Sequence, residues 1–155
     1  MSLHFDMVIN CDLKEDAPED AIEAIKYLTQ PDYYLKKEPQ LIYTDPKYPD
    51  MGNMWDTFGS DRFLVPDPDH DIISNFRRVH RLTIPTENNR EVHRYRLQFC
   101  GSWLHDDYFY QYHLPFVYWL AAVAYEDYIG YYMETHGGVR EVDHLRVENG
   151  KLLSR

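Results

Sequence analysis

Arginine stands out among the residue types that could do chemistry, because it recurs at alternating positions along two segments. Between Ser74 and Gln98 the chain carries six arginines and two glutamates, a local balance of +4 within a formal net charge of −10. Side chains at i and i+2 of an extended strand point to the same face. The spacing therefore predicts that one sheet face, directed away from the core, carries Arg77, Arg81, Arg94 and Arg96.

A face of this kind suits a small anionic ligand, because guanidinium forks bind carboxylate and phosphate groups through paired hydrogen bonds. The alternative is structural: Asp6 and Asp12, on a neighbouring strand, neutralise the arginines as a solvated face or a dimer seam. Both readings stay open at the level of the sequence.

Two histidines fall in the same segments. The alternation predicts that His80 and His93 lie on the core-facing side together with Arg78 and Tyr95. Polar groups at such positions indicate a buried hydrogen-bonded network or a ligand pocket. If the chain is an enzyme, His80 and His93 are its acid–base candidates. No serine or cysteine stands in a recognisable nucleophile motif, so no catalytic residue is assigned.

Two clusters combine histidine with aspartate, the type of side chain that metals take as ligands. Residues 67–71 contain three aspartates and His70, and His105 is followed by Asp106 and Asp107. Neither cluster has the spacing of an established metal motif. We interpret the first as an acidic surface turn and the second as a helix N-terminus, and we predict no metal and no cofactor.

Tyrosine is unusually dense in the second half of the chain, where eight of the fourteen lie between positions 108 and 132. Its apolar ring and polar hydroxyl suit a protein interface or the wall of a pocket. The alternative is that these rings cover the core beneath a long loop. The eight are Tyr108, Tyr110, Tyr112, Tyr118, Tyr125, Tyr128, Tyr131 and Tyr132.

The elements that must position these residues follow from hydrophobic periodicity and from turn residues. Asp16 is the predicted N-cap of a helix that ends near Thr29, and the apolar run 116–125 predicts a largely buried second helix. Strands are predicted at residues 3–13, 73–84, 91–103 and 128–135, and a terminal hairpin at 142–147 and 151–153.

This order predicts an α+β fold of the ferredoxin-like βαββαβ type, with an antiparallel sheet and helices on one face. A Pro- and Tyr-rich insert at residues 30–71 follows the first helix, and the C-terminal hairpin is appended. Because 155 residues suit one core, residues 1–155 are predicted to form a single domain. The order alone carries no function.

Charge and composition limit the partners of this chain. A net charge of −10 argues against nucleic acid and anionic membranes, and we predict neither a secretory signal nor a membrane span. Two cysteines within strand-like runs favour free thiols in the cytoplasm. The leading hypothesis is a cytoplasmic, homodimeric binding or protein-interaction module. The alternative is a protein or enzyme that binds a small anionic molecule between the sheet and the 30–71 insert.

Overall fold

The computed structural model describes residues 3–30, 74–135 and 141–154, and within these ranges six strands form one antiparallel sheet. The strands are β1 (His4–Asp12), β2 (Ser74–Pro85), β3 (Glu91–His105), β4 (Tyr128–Glu134), β5 (Val142–Glu148) and β6 (Lys151–Ser154). The helices are α1 (Glu19–Thr29), α2 (Asp106–Tyr108), a π-helical turn (Phe109–His113) and α3 (Leu114–Leu120). None of these helices combines the length and the apolar character needed to cross a membrane.

The sheet has the order β2-β3-β1-β4-β5-β6, so β1 lies between β3 and β4. The predicted α+β class with an antiparallel sheet is confirmed. The predicted ferredoxin-like order is not matched, because the sheet continues through β5 and β6 into a six-stranded arrangement. Apart from Gln30, the predicted insert at 30–71 lies outside the described residues.

The second helical segment differs from its prediction at both ends. Helical structure begins at Asp106, where the His105 side chain accepts a hydrogen bond from the Asp107 backbone N–H, and it ends at Leu120. The predicted helix at 116–125 is therefore wrong beyond Leu120. Ala124 instead forms a bridge with Leu13. Residues 121–124 are mostly buried although they are not helical, so their apolar character could not distinguish the two structures.

One face of the sheet packs against the helices and forms the core. The apolar face of α1, including Ile25 and Leu28, is buried in the same cluster as Met7, Leu97 and Leu145 from three strands. The predicted amphipathic pattern of α1 thus describes a real contact face. Aromatic stacking joins the second helical segment to the sheet, since the Phe5 and Phe109 rings lie 4.1 Å apart and nearly parallel.

Gly130 permits the close approach of β4 to β1. Its φ of +150° is accessible mainly to glycine, and a Cβ at this position would overlap the carbonyl oxygen of Val8. The β4–β5 register shifts between Tyr128 and Gly130, which marks a bulge at this position. The glycine therefore supports the centre of the sheet.

Candidate functional site

The register of the central strands defines two faces of the sheet. Met7, Ile9 and Cys11 of β1 are buried on the helix-covered face, and Ile9 and Cys11 lie opposite Phe99 and Leu97 of β3. The alternate β1 residues form the opposite face, which we call the outer face. On it Val8 lies opposite Cys100, Asn10 opposite Gln98 and Asp12 opposite Arg96.

The four arginines predicted to share a face do not share one. In the observed register Val79 lies opposite Leu97, so Arg77 and Arg81 fall on the helix-covered face. Arg94 and Arg96 lie on the outer face, as predicted from β3. Burial lowers the pKa of Arg77, whereas Arg81 is exposed. The predicted site of four arginines is therefore divided between the two sides of the sheet.

The predicted histidine pocket is divided in the same way. His80 and Arg78 lie on the outer face, opposite Arg96 and Gln98 respectively. His93 lies on the helix-covered face, where its Nδ1 is 3.2 Å from the Thr83 hydroxyl. Tyr95 is on that face too, with the Lys26 ammonium 5.1 Å from its ring centre. His80 and His93 thus lie on opposite faces of the sheet, so the prediction that they line one pocket is wrong.

The inward and outward side chains of β2 are the opposite of those predicted, because the alternation of apolar residues near the end of this strand does not follow burial. Val79 is the one β2 residue in the described core, and beyond it the inward positions Arg81 and Thr83 are exposed. Leu82 and Ile84 lie on the outer face, where Ile84 is directly opposite Val92. Val79, at the centre of the strand, indicates the correct inward face. The prediction instead followed the apolar residues near the hairpin, Leu82 and Ile84, which lie on the outer face.

Two of the arginines on the outer face have acid partners. Asp12 accepts hydrogen bonds from Arg96 Nε at 2.6 Å and from Nη2 at 3.1 Å. Arg94 Nε donates to Glu15 at 3.0 Å, and its guanidinium lies 4.0 Å from the ring centre of Tyr125. The structural alternative, in which acids neutralise the arginines, therefore holds for Arg94 and Arg96. Asp12 is the acid that lies near both.

Arg78 and His80 form a second pair beside these ion pairs. Arg78 Nε donates to His80 Nδ1 at 2.9 Å, so this ring nitrogen is unprotonated and Nε2 carries the hydrogen of the neutral imidazole. Partial burial lowers the pKa of His80, and the positive charges of Arg78 and Arg96 lower it further against the opposing effect of Asp12. The neutral ring is consequently favoured.

The other half of the outer face is apolar. One row across the strands runs from Cys100 through Val8 and Tyr131 to His144. The next outward positions on β4 and β5 are Met133 and Val142, which lie opposite each other. We call this group of six residues the apolar half. None of the six is a carboxylate or an arginine, although Asp6 of β1 lies directly opposite Met133 at the edge of this group. We call the part of the outer face around Asp12 and Arg96 the charged half.

An open cleft of about 740 Å³ lies at the start of the second helical segment. Its lining includes Tyr110 and Tyr112 and the predicted helix N-terminal cluster His105, Asp106 and Asp107. Nδ1 of His105 is 3.0 Å from Asp106 Oδ1 and accepts from the Asp107 backbone N–H at 3.3 Å, as in a helix cap. The side chain of Tyr108 and the acidic cluster at 67–71 lie outside the described residues.

Comparison of this chain with protein-family models, with curated proteins and with solved structures found no match. The geometry of the outer face is therefore the basis for assigning a function.

Proposed function

We propose that this protein is a non-catalytic interaction module and that the apolar half of the outer face docks a second copy of the chain. The observation that carries the proposal is the distribution of exposed apolar side chains. Four large apolar residues are exposed within the described ranges, and three of them, Tyr128, Val142 and Leu153, belong to β4, β5 and β6. Contiguous exposed apolar surface is typical of a protein interface.

The three residues belong to one surface. Val142 lies on the outer face beside Met133, Tyr128 lies opposite Arg146, and Arg146 lies opposite Leu153 on the next strand. The Tyr128 hydroxyl is 3.0 Å from His144 Nδ1, which fixes the ring against the face. A tyrosine held in this way loses little conformational entropy on binding and offers both apolar area and a polar tip.

Charge favours a second copy as the occupant. The chain as a whole has a net charge of −10, but the outward positions hold more cations than acids. The cations are Arg78, Arg94, Arg96, Arg146 and Lys151, and the acids are Asp6, Asp12 and Glu148. Glu15 also pairs with Arg94 at this face, so the charges of the face nearly balance, and two copies meet there with less repulsion than at the acidic remainder of their surfaces.

The pattern of the face is also self-complementary. We place a two-fold axis parallel to the strands, between β1 and β4. Val8 of one copy then faces Tyr131 of the other, and the register brings Arg96 over Glu148. Sheets that pack face to face keep their strands within about 30° of each other, as this arrangement requires.

The available area suits a stable dimer. Six strands at about 4.8 Å spacing, each about 20 Å long, project to roughly 600 Å². Side-chain relief makes the accessible area larger than this projection, and a stable interface takes about 800 Å² from each partner. The outer face is therefore large enough, and the dimer buries the charged half as well as the apolar half.

The proposal also includes the location. We infer that the protein works in a reducing compartment such as the cytoplasm, because both cysteines are free and Cys11 is buried. Burial raises the pKa of the Cys11 thiol far above its usual range, so this cysteine is unreactive.

Sedimentation equilibrium at micromolar concentration tests the dimer directly. We expect a mass about twice the 18.6 kDa of one chain. Val142→Lys, and the double variant Val142→Lys with Leu153→Lys, should sediment as monomers with unchanged circular dichroism, because each adds charge at an exposed apolar position of the outer face. A wild-type protein that remains monomeric over the whole concentration range overturns the proposal.

Tyr110→Lys provides the matched control. Tyr110 is the fourth exposed apolar residue, at 52% exposure, but it lies on the π-helical turn and not on the outer face. This variant should keep the dimer mass. If Tyr110→Lys dissociates the dimer and Val142→Lys does not, the interface lies at the cleft and the outer-face assignment is wrong.

A further inference from the structure

The charged half of the outer face presents hydrogen-bond donors that its own acids do not occupy. Asp12 engages Nε and Nη2 of Arg96, so Nη1 of that guanidinium is directed elsewhere. Within residues 3–30, 74–135 and 141–154, Arg78 has no carboxylate at ion-pair distance, and its Nε is used by His80. Both Nη groups of Arg78 thus remain as charged donors.

The register holds these donors together. His80 lies directly opposite Arg96, and Arg78 directly opposite Gln98, which is two residues from Arg96 on the same strand. Opposed residues in an antiparallel pair have Cβ atoms about 5 Å apart, and neighbours at i and i+2 are about 7 Å apart. All four side chains share the outer face. They can reach a single group placed above the centre of this square.

The protonation state of His80 adds a donor to the square. Because Arg78 donates to its Nδ1, the neutral ring carries its hydrogen on Nε2. The four side chains therefore offer two guanidinium groups, an imidazole N–H and a carboxamide NH₂. None of the four is a carboxylate. Such a set matches an acceptor that has several oxygens and a negative charge.

We propose that Arg78, His80, Arg96 and Gln98 form a binding site for an oxyanion, the terminal phosphate or carboxylate of a small ligand or peptide. The site shares only Arg96 with the predicted group of four arginines, since Arg78, His80 and Gln98 take the place of Arg77, Arg81 and Arg94. The proposed dimer would bring the partner's Glu148 over Arg96 and cover this site, so the site is open to an anion in the monomer, and its test uses the full chain carrying the monomeric substitution Val142→Lys.

The test is an NMR titration of the histidine Cε1–H resonances of the full chain carrying Val142→Lys in phosphate, acetate and chloride at equal ionic strength. A bound anion stabilises the charged imidazole, so phosphate should raise the pKa of His80 relative to chloride by about half a pH unit or more. The charged groups that face His80 are Arg78 on β2, Arg96 on β3 and Asp12 on β1. His93, on the opposite face, serves as an internal control and should not shift.

The phosphate and acetate arms distinguish the two sources of the oxyanion. A shift with phosphate alone identifies a phosphate site, and an equal shift with acetate identifies a carboxylate site. Arg78→Gln should abolish the shift. Arg90→Gln removes the same charge from the exposed β2–β3 turn and should leave the shift intact. Equal shifts at His80 and His93, or equal losses in the two variants, would mean that the anions respond only to general positive charge and would overturn the proposal.

Discussion

The two faces of the sheet differ in composition and in burial. On the helix-covered face, Ile9, Cys11, Leu97 and Phe99 alternate strictly and are at most 3% exposed. On the outer face the same strands carry Asn10, Asp12, Arg96 and Gln98, which are partly or fully exposed. The covered face gains its stability from packing, whereas the outer face presents polar contacts and accessible apolar side chains.

Substitutions on the two faces should therefore have different effects. Changes to the covered face should alter folding, because its side chains fill a closely packed interior. Changes to the outer face should alter association or ligand binding and leave folding almost unchanged. Gly130 belongs to neither face, because it is the backbone at this position that approaches β1 closely. A substitution here should therefore disturb the pairing of β1 with β4.

The largest effect is expected at Gly130. Gly130→Ala should lower the free energy of unfolding by more than about 3 kcal/mol or abolish the cooperative transition, because its Cβ would overlap the Val8 carbonyl and its φ disfavours alanine. Urea denaturation followed by circular dichroism measures the change. Gly150→Ala is the control: φ is +70° there, no atom lies within 4 Å of the added Cβ, and the expected cost is about 1 kcal/mol. Equal costs would contradict the close approach of the two strands.

A pair of neighbouring substitutions tests the two faces on a single strand. Leu97→Ala should destabilise the fold by about 2–5 kcal/mol, since the side chain is fully buried and leaves a cavity. Gln98→Ala, one residue further, should cost less than about 0.5 kcal/mol. Thermal and chemical denaturation of both variants give the comparison. If Gln98→Ala is as damaging as Leu97→Ala, the assignment of the faces is wrong.

The smallest effect is expected from the ion pair between Asp12 and Arg96. Asp12→Asn, Arg96→Gln and the double variant form a cycle whose coupling free energy should be about 0.5–1 kcal/mol, because the two side chains are 19% and 36% exposed and solvent screens them. The coupling should decrease in high salt. A coupling of zero at low salt would show that the paired hydrogen bonds do not stabilise the outer face.

The sequence predicted the central strands well because their periodicity extends over many residues and reports burial on both sides. On β1 and β3 the predicted inward and outward sets match the observed register. α1 followed from its apolar spacing and acidic first turn. These elements lie where the core is thickest, so pattern and burial agree.

Prediction failed where the core ends. β2 lies at one side of the sheet in the described structure, and its inward residues beyond Val79 leave the core, so Leu82 and Ile84 gave the wrong parity. A reversal of one strand exchanges all of its side chains between faces, and this divided the predicted arginine and histidine sites. The pairing of Arg78 with His80 depends on that parity and could not be found before the register was known.

The positions of the two cysteines have a further consequence for the redox behaviour of the chain. Cys11 lies on the covered face opposite Leu97, and Cys100 lies on the outer face opposite Val8, so the sheet itself separates their sulfurs. An intramolecular disulfide would require one of the two strands to exchange its inward and outward side chains. Oxidation can therefore join two molecules through Cys100 but cannot cross-link one folded chain, and the fold has the same covalent connectivity in reducing and oxidising solution.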